Sequence, residues 1–397
     1  MTQLLLKDYT ATSCVGHGRL ATLDALRAKR GGLAPCAFER AQIDTWTGEV
    51  SDVDDERLTQ TLGRFDCRNN RLAQLALRQD GFTDSVAQSV GRWGRRRIGV
   101  FLGTSTSGIL QTELAYRRRD PATDALPADF DYGGTQNSFS VADFVRQALG
   151  LDGPAVVICS ACSSSAKVFG SARRMMDADL IDAAVVGGVD SLCLTTLYGF
   201  HALQLTSNGP CKPFDSGRDG ISISEAAAFA LLERVPNSLD SDAVMLLGVG
   251  ESSDAYHMSS PHPEGLGARA AMLAALDFAG LEPGDIDYIN LHGTGTLSND
   301  SSESRAVASV FGSSVGGSST KGATGHALGA AGALEAVICS LALQHEFAPA
   351  GINTRSLDPA LGIQYLVENR PGRISRVLSN SFGFGGTNCS LLLGRAG

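Results

Sequence analysis

Short apolar runs recur along the chain, each bounded by glycine or polar residues. They lie at Ile98–Gly103, Ala155–Cys159, Ala183–Val189, Ala227–Glu233, Val244–Val249, Ile286–Leu291, Val377–Asn380 and Cys389–Leu393. Runs this short, apolar on both alternating faces, predict strands covered on both sides. Between them, helical spacing of apolar positions predicts helices over Asn70–Arg78, Ala166–Met176, Ala268–Ala279, Ser302–Phe311 and Gly332–Leu343. The alternation predicts an α/β protein built of layers. No repeat with a period of 20–50 residues is visible. The polar, proline-containing stretch "RVPNSLDSDA" at 234–243 separates two strand-like runs. It places a boundary between an N-terminal half, 1–235, and a C-terminal half, 236–397.

Composition narrows the reading. Of 397 residues, 43% are hydrophobic and 19% charged, enough for a large core and too apolar for disorder. Glycine is abundant, 46 against 13 prolines, which points to tight turns and close backbone approaches. A net charge of −9 argues against a nucleic-acid reader. Local basic clusters remain, at Arg92 with Arg95–Arg97 and at Arg117–Arg119. Charge runs of this kind are usually solvated surface, and the functional alternative is a dock for an acidic partner. No stretch reads as the ~18 apolar residues of a membrane span. The N-terminal "MTQLLLKDYTATSC" lacks the pattern of a secretory signal. These features predict a cytoplasmic protein, whose nine scattered cysteines are reduced thiols.

The stretch "VVICSACSSSA", 156–166, poses the chemical question. Cys162 falls between a strand end and a helix start. There the helix dipole and free N–H groups favour a thiolate and can hold an oxyanion. This is the arrangement of a nucleophile elbow with sulfur in place of a serine oxygen. Other readings stand beside it. Cys159 and Cys162 form a C-x-x-C pair, but Cys159 lies within the apolar run, where it reads as a small buried hydrophobe. Half a zinc site would need a second pair, and the chain has no other C-x-x-C. A serine nucleophile lacks its G-x-S-x-G setting, and Cys162 itself could be structural.

Two of seven histidines sit in glycine- and threonine-rich turns: His292 in "INLHGTGTLSND" and His326 in "STKGATGHALGAAGALEA". Such loops let backbone approach a ligand. One histidine beside a cysteine would serve as a base. Two neutral imidazoles aimed at one oxygen would stabilise an enolate, which suits carbon–carbon bond formation by decarboxylation.

Together these motifs resemble those of the β-ketoacyl-[acyl-carrier-protein] synthases, the elongating Cys-His-His branch of the thiolase superfamily. The resemblance rests on "SACSSSA" (160–166), "CKPFDSGRDGISISEAAAFALLE" (211–233), "SDAYHMSSPHPEG" (253–265), "HGTGTLSNDSSES" (292–304), "STKGATGHALGAAGALEA" (319–336) and "SNSFGFGGTNCSLLL" (379–393), in that order. It covers the chain from about residue 98 onward, and the first 90 residues match only loosely. It implies the thiolase fold: two similar halves, each with a mixed five-stranded sheet, in α-β-α-β-α layers. It implies Cys162 as acyl-accepting nucleophile, His292 and His326 as the decarboxylating pair, Lys321 as the active-site lysine and Glu303 as a structural glutamate. Thr294 and Thr296 match positions that hold phosphopantetheine. Phe384 matches a gate whose N–H completes the oxyanion hole with that of Cys162, and Phe200 lies near the acyl entrance. No metal or organic cofactor is implied, because phosphopantetheine arrives on the acyl carrier protein. A homodimer, or a heterodimer with a related ketosynthase-like subunit, is implied as well.

Several positions depart from the family pattern. Ser160 stands where threonine is common, and Ser224, Ala226 and Ala228 stand where glycines are usual. Thr106, in "GTSTSG", falls at the position that often limits acyl-chain length. A polar residue there would alter which chain is accepted, since a buried hydroxyl must find a partner. These departures suggest a specialised role, such as an aryl-polyene or polyketide-like pathway, rather than housekeeping fatty-acid synthesis. Docking an acidic carrier on an acidic enzyme requires a basic patch. Arg68 and Arg71, three apart on a helix, are the first candidates and Arg117–Arg119 the second. A non-catalytic, chain-length-type partner subunit is the alternative function, disfavoured by the presence of Cys162, His292, His326 and Lys321.

Overall fold

The computed structural model describes residues 3–396. Its first half contributes five long-range strands: β1 (Leu4–Ser13), β2 (Ile98–Gly103), β3 (Ala155–Ile158), β4 (Ala183–Asp190) and β5 (Ala226–Arg234). The second half contributes β6 (Val244–Ser253), β7 (Tyr288–Asn290), β8 (Gly316–Ser318), β9 (Arg376–Gly383) and β10 (Thr387–Arg395). The spatial order is β3-β2-β4-β5-β1 in the first half and β8-β7-β9-β10-β6 in the second. The two orders are the same when strands are counted within each half. Both sheets are mixed: β2 runs parallel to β3 and β4, and β7 runs parallel to β8 and β9, while the other pairs are antiparallel. The sheets touch where Leu4–Leu6 pairs with Val244–Leu246.

Alternation along the strands explains the layers. Ala226, Ala228, Ala230 and Leu232 of β5 face one core, whereas Ala227, Phe229 and Leu231 face another. The first core lies between the sheets and is filled by two helices, Ser164–Asp177 and Ala331–His345. The second lies under the helices Arg68–Leu77, Phe82–Trp93 and Ser140–Ala148. A third packs Leu266–Ala279 and Leu297–Phe311 on the far sheet. This is the α-β-α-β-α stack of the thiolase fold. Each buried Val, Leu or Phe in it contributes about 1.5–3 kcal/mol by removal from water.

The helix Ala331–His345 is buried all round from Ala331 to Leu343, as expected for a helix with no polar face. The stretch Leu328–His345 has a mean hydropathy of 1.3 over 18 residues, long and apolar enough for a bilayer, contrary to the sequence reading. It is 89% buried within the fold, which identifies it as a core helix.

Two strands escaped the hydrophobic pattern. β1 is interrupted by Lys7 and Asp8, where the ladder to β5 shifts register. Asp8 is buried there and accepts from Arg19 at 2.9 Å. β8 consists of Gly316, Gly317 and Ser318, a sequence with no strand propensity that is held between neighbours. The run expected to end at Cys159 stops at Ile158, and Cys159 is exposed rather than buried. β3 is a sheet edge and its four residues are half-buried.

Candidate functional site

The nucleophile turn connects β3 to the helix starting at Ser164. Ala161 adopts φ +50°, a left-handed conformation that reverses the chain within one residue. Ser163 and Ser164 then donate their N–H groups to the carbonyls of Ser160 and Ala161. The helix start is seated deeply because Gly103 of β2 has no side chain. A Cβ there would lie 2.3 Å from the nitrogen of Ser165. Cys162 is therefore buried, 7% exposed, with its sulfur 3.1 Å from His326 Nε2. The N–H groups of Phe384 and of Cys162 itself both reach that sulfur. A carbonyl carbon bonded to it would place its oxygen near the same two donors.

The second half supplies the other groups. His292 follows β7, and its N–H donates to Glu303 Oε1 at 2.7 Å. Gly293 N–H donates to Glu303 Oε2 at 2.7 Å and Asn380 Nδ2 to Oε1 at 3.2 Å, so one carboxylate pins the turn. Lys321 Nζ donates to the carbonyl of His292 at 2.6 Å, lies 3.3 Å from its Nδ1 and pairs with Glu335. An ammonium has no acceptor, so Nδ1 accepts and the His292 proton resides on Nε2. The His292 and His326 rings are 5.3 Å apart and nearly perpendicular. One ligand-type atom from each of Cys162, His292 and His326 falls within 4.8 Å of the others. The Lys321 charge touching His292 opposes a metal dication among them.

Burial dominates the electrostatics. It holds both histidines well below their ordinary range, and the neighbouring Lys321 charge adds to the effect, so both are neutral. Burial also pushes the Cys162 thiol up to about 11, although Lys321 and the Phe384 N–H favour the thiolate. The N–H groups at the helix start favour the thiolate as expected, but burial acts more strongly in the other direction. In the resting chain desolvation outweighs the Lys321 charge and the N–H donors. Glu303 is raised to about 7 by burial against its three donors.

A cavity of about 60 Å³ opens above the cysteine. Cys162, His292, His326, Thr294, Thr296, Phe200 and Phe384 all line it. The Phe200 and Phe384 rings pack tilted, 5.5 Å apart, across its side. Thr294 and Thr296 hydroxyls lie 3.0 Å apart, and Thr296 also caps the helix Leu297–Phe311 by accepting from Asn299 N–H.

Comparison with known proteins agrees with this geometry. The N-terminal domain of β-ketoacyl synthases matches residues 3–237 and the C-terminal domain matches 243–355. The chain belongs to the β-ketoacyl synthase family. The mitochondrial 3-oxoacyl-[acyl-carrier-protein] synthase of Arabidopsis thaliana is 38% identical, over 98% of this chain and 85% of its own. The 3-oxoacyl-[acyl-carrier-protein] synthase 2 of Coxiella burnetii is 36% identical over 75% of each. Among solved structures, a ketosynthase in complex with its chain length factor from Xenorhabdus doucetiae superposes with a TM-score of 0.90. It shares 37% identity and covers 100% of this chain and 98% of that one. The ishigamide ketosynthase/chain length factor superposes at 0.88 with 26% identity, covering 100% of both.

Three expected site residues of this β-ketoacyl synthase lie elsewhere. Arg68 is 4% exposed and cannot present a docking charge. It forks onto Glu225 at 2.6 and 2.9 Å, and also contacts Asp54 at 2.8 Å and Glu49 at 3.3 Å. Arg71 is committed to both oxygens of Asp66, at 2.5 and 2.7 Å. The second docking candidates are exposed but paired as well: Arg117 with Glu39, Arg118 with Asp129 and Arg119 with Asp124. Thr106 does not line the cavity; it is 1% exposed and its hydroxyl is satisfied by Asp190. All nine cysteines are free, and Cys159 and Cys162 differ sharply in exposure.

Other residues of the synthase's site were not anticipated. Glu335 carries the countercharge of Lys321 from an alanine-rich helix, in which one glutamate gives no signal of its own. Asp254 and Asn388 hold the loop bearing Phe384. Asp254 N–H donates to Gly386 O at 2.8 Å, and Asn388 Nδ2 donates to Asp254 Oδ1 at 2.8 Å. The "SDAYHMSSPHPEG" motif signals this role, since Gly385 N–H also donates to Met258 O.

Proposed function

We propose that this synthase is a catalytic, elongating ketosynthase that condenses an acyl group held on Cys162 with malonyl-[acyl-carrier-protein]. The observation that carries the reading is the 3.1 Å contact of Cys162 with His326, beside His292, on the wall of one cavity. In the first step the sulfur attacks the acyl thioester carbonyl, and the thiol proton passes to His326 Nε2 and then to the departing phosphopantetheine thiolate. The carbon–sulfur bond of the donor breaks as that of the acyl-enzyme forms. In the second step malonyl thioester loses carbon dioxide, and the developing enolate oxygen accepts from His292 Nε2–H. The enolate carbon attacks the acyl carbonyl, whose oxyanion accepts from the N–H groups of Cys162 and Phe384. Collapse releases the β-ketoacyl thioester and returns the cysteine thiolate, which takes up a proton. No metal or organic cofactor takes part, and Thr294 and Thr296 orient the phosphopantetheine.

We infer that the synthase assembles in the cytoplasm with a second, ketosynthase-like subunit in a specialised chain-elongating pathway. Full-length similarity to ketosynthases that pair with chain length factors supports a heterodimer. The half-buried edge strand β3 offers open backbone groups for a partner, one turn from the nucleophile. Incubation with acyl-carrier substrates, intact-mass analysis and peptide mapping test the chemistry. An adduct on Cys162, followed by loss of carbon dioxide from malonyl carrier and a new carbon–carbon bond, is expected. A folded protein that takes no acyl group from any donor would instead be a non-catalytic partner.

A further inference from the structure

Asp190 ends β4 with its carboxylate fully buried. Among the described residues no basic side chain within ion-pair distance of it is seen, yet five donors surround it. Oδ1 accepts from Thr104 Oγ1 at 2.7 Å, Ser105 N at 2.7 Å, Thr106 N at 2.9 Å and Thr106 Oγ1 at 3.0 Å. Oδ2 accepts from Gly329 N at 2.6 Å. Burial raises this carboxyl above its ordinary range, and the donors from Thr104, Ser105 and Thr106 oppose that shift by favouring the charged form.

The partners belong to two separate segments that lie behind the cavity's lining. Thr104–Thr106 follow β2, and Ser105 Oγ donates onward to the carbonyl of Ala161, next to the nucleophile. Gly329 is three residues after His326. A Cβ at Gly329 would lie 2.8 Å from Asp190 Oδ2 and 2.6 Å from Ser105 Oγ, so only glycine permits this closeness. Thr106 Oγ1 donates to Asp190 and accepts from Ser191 N–H at 3.2 Å, which satisfies the hydroxyl that departs from the family pattern.

We propose that Asp190 is a positioning residue for the condensation, clasping the Thr104–Thr106 loop to the His326–Gly329 turn so that cysteine and base keep their contact distance. The inference rests on the ketosynthase reading, but its first readout needs no carrier substrate. Thr106 thereby acts through the clasp rather than as the floor of the acyl pocket. Lys321, His292 and His326 face Cys162 from the second half, and Asp190 acts on it from the first. The Cys159 and Cys193 thiols also feel the Asp190 charge.

Asp190→Asn keeps the shape and removes the charge. Alkylation of Cys162 by iodoacetamide, mapped by peptide mass against pH, should shift its midpoint to lower pH, because a negative charge opposing the thiolate is gone. Condensation should fall at least ~10-fold as the two segments slacken. Thr106→Val breaks one donor while leaving the charge. It should leave the alkylation midpoint in place, lower condensation severalfold and broaden the range of chain lengths made, whereas Thr106→Ser should restore the parent values. An unchanged alkylation profile and unchanged condensation in folded Asp190→Asn would overturn the proposal. If that variant does not fold, parent-like condensation and products from Thr106→Val would overturn it equally. Normal alkylation shifts with no condensation even by the parent protein would count against the ketosynthase reading instead.

Discussion

The two halves use the same topological position for different tasks. In each, the third strand of the half leads into the helix that fills the central layer. In the first half the junction from β3 to Ser164 is short and delivers one reactive atom, the sulfur of Cys162. In the second half the junction from β8 to Ala331 is longer and delivers Lys321 and His326, with Glu335 on the helix that follows. A tight turn places a nucleophile at a helix start and leaves little freedom in its position. A long loop wraps a buried cation and positions the His326 imidazole against the partner junction. The difference shows how a repeated scaffold becomes an asymmetric catalyst through the length of one connection.

The largest expected effect comes from the short junction. Cys162→Ala removes the only reactive atom it supplies, so the acyl adduct should vanish and condensation fall by about 10⁴-fold or more. Decarboxylation of malonyl carrier, which the proposed reaction assigns to the second half, should survive; its parallel loss would show that the halves do not divide the work this way. The long junction is expected to fail through stability. Lys321→Met leaves the Glu335 carboxylate buried without its cation, a loss of about 3–5 kcal/mol readable by denaturant melting. The double change with Glu335→Gln should recover stability but not rate.

Contact between the junctions gives a smaller effect. A Cβ at Gly332 would sit 2.8 Å from both the nitrogen and the Cβ of Ala166. Gly332→Val should separate the two central helices, costing about 1–3 kcal/mol. A displacement near 1 Å between sulfur and imidazole would lower kcat about 10²-fold. The smallest effect is on pH dependence. His292 and His326 have depressed values in the folded chain, so they bind fewer protons than in the unfolded one. Their contribution to stability is full above the ordinary histidine value of about 6.5 and is lost as pH falls below it. Melting temperature should therefore decline on acidification from that point, while the decarboxylation rate stays level from pH 8 to 6.5.

Much of the site was legible because its chemistry requires small residues. Glycines, serines and threonines crowd around Cys162, His292, His326 and Phe384, and each of those four reached the cavity. The strands were legible where both faces are apolar, as in β2 and β4. Where a charge is buried with a partner, the reading failed. Arg68 looked like a solvated helix charge because its acceptor, Glu225, lies 157 positions away. Asp190 was missed for the same reason, since sequence spacing carries no record of distant donors. Cys159 misled in the opposite sense, because an apolar run at a sheet edge is not covered on both sides.

The place of β1 has a consequence for the order of events during synthesis. Leu4–Ser13 is made before either of its neighbours, yet it lies between β5 and β6, with Tyr9 opposite Ala230 and Leu4 opposite Leu246. Both neighbours come far later in the sequence, β5 from Ala226 and β6 from Val244. Apart from the local pairing of Thr12 and Ser13 with His17 and Gly16, the strand waits while translation supplies the partners on its two sides. Pairing across such a separation closes slowly, and an unpaired apolar strand is exposed to aggregation meanwhile. Lys7 and Asp8, which hid the strand from its hydrophobic pattern, break its apolar run during that interval.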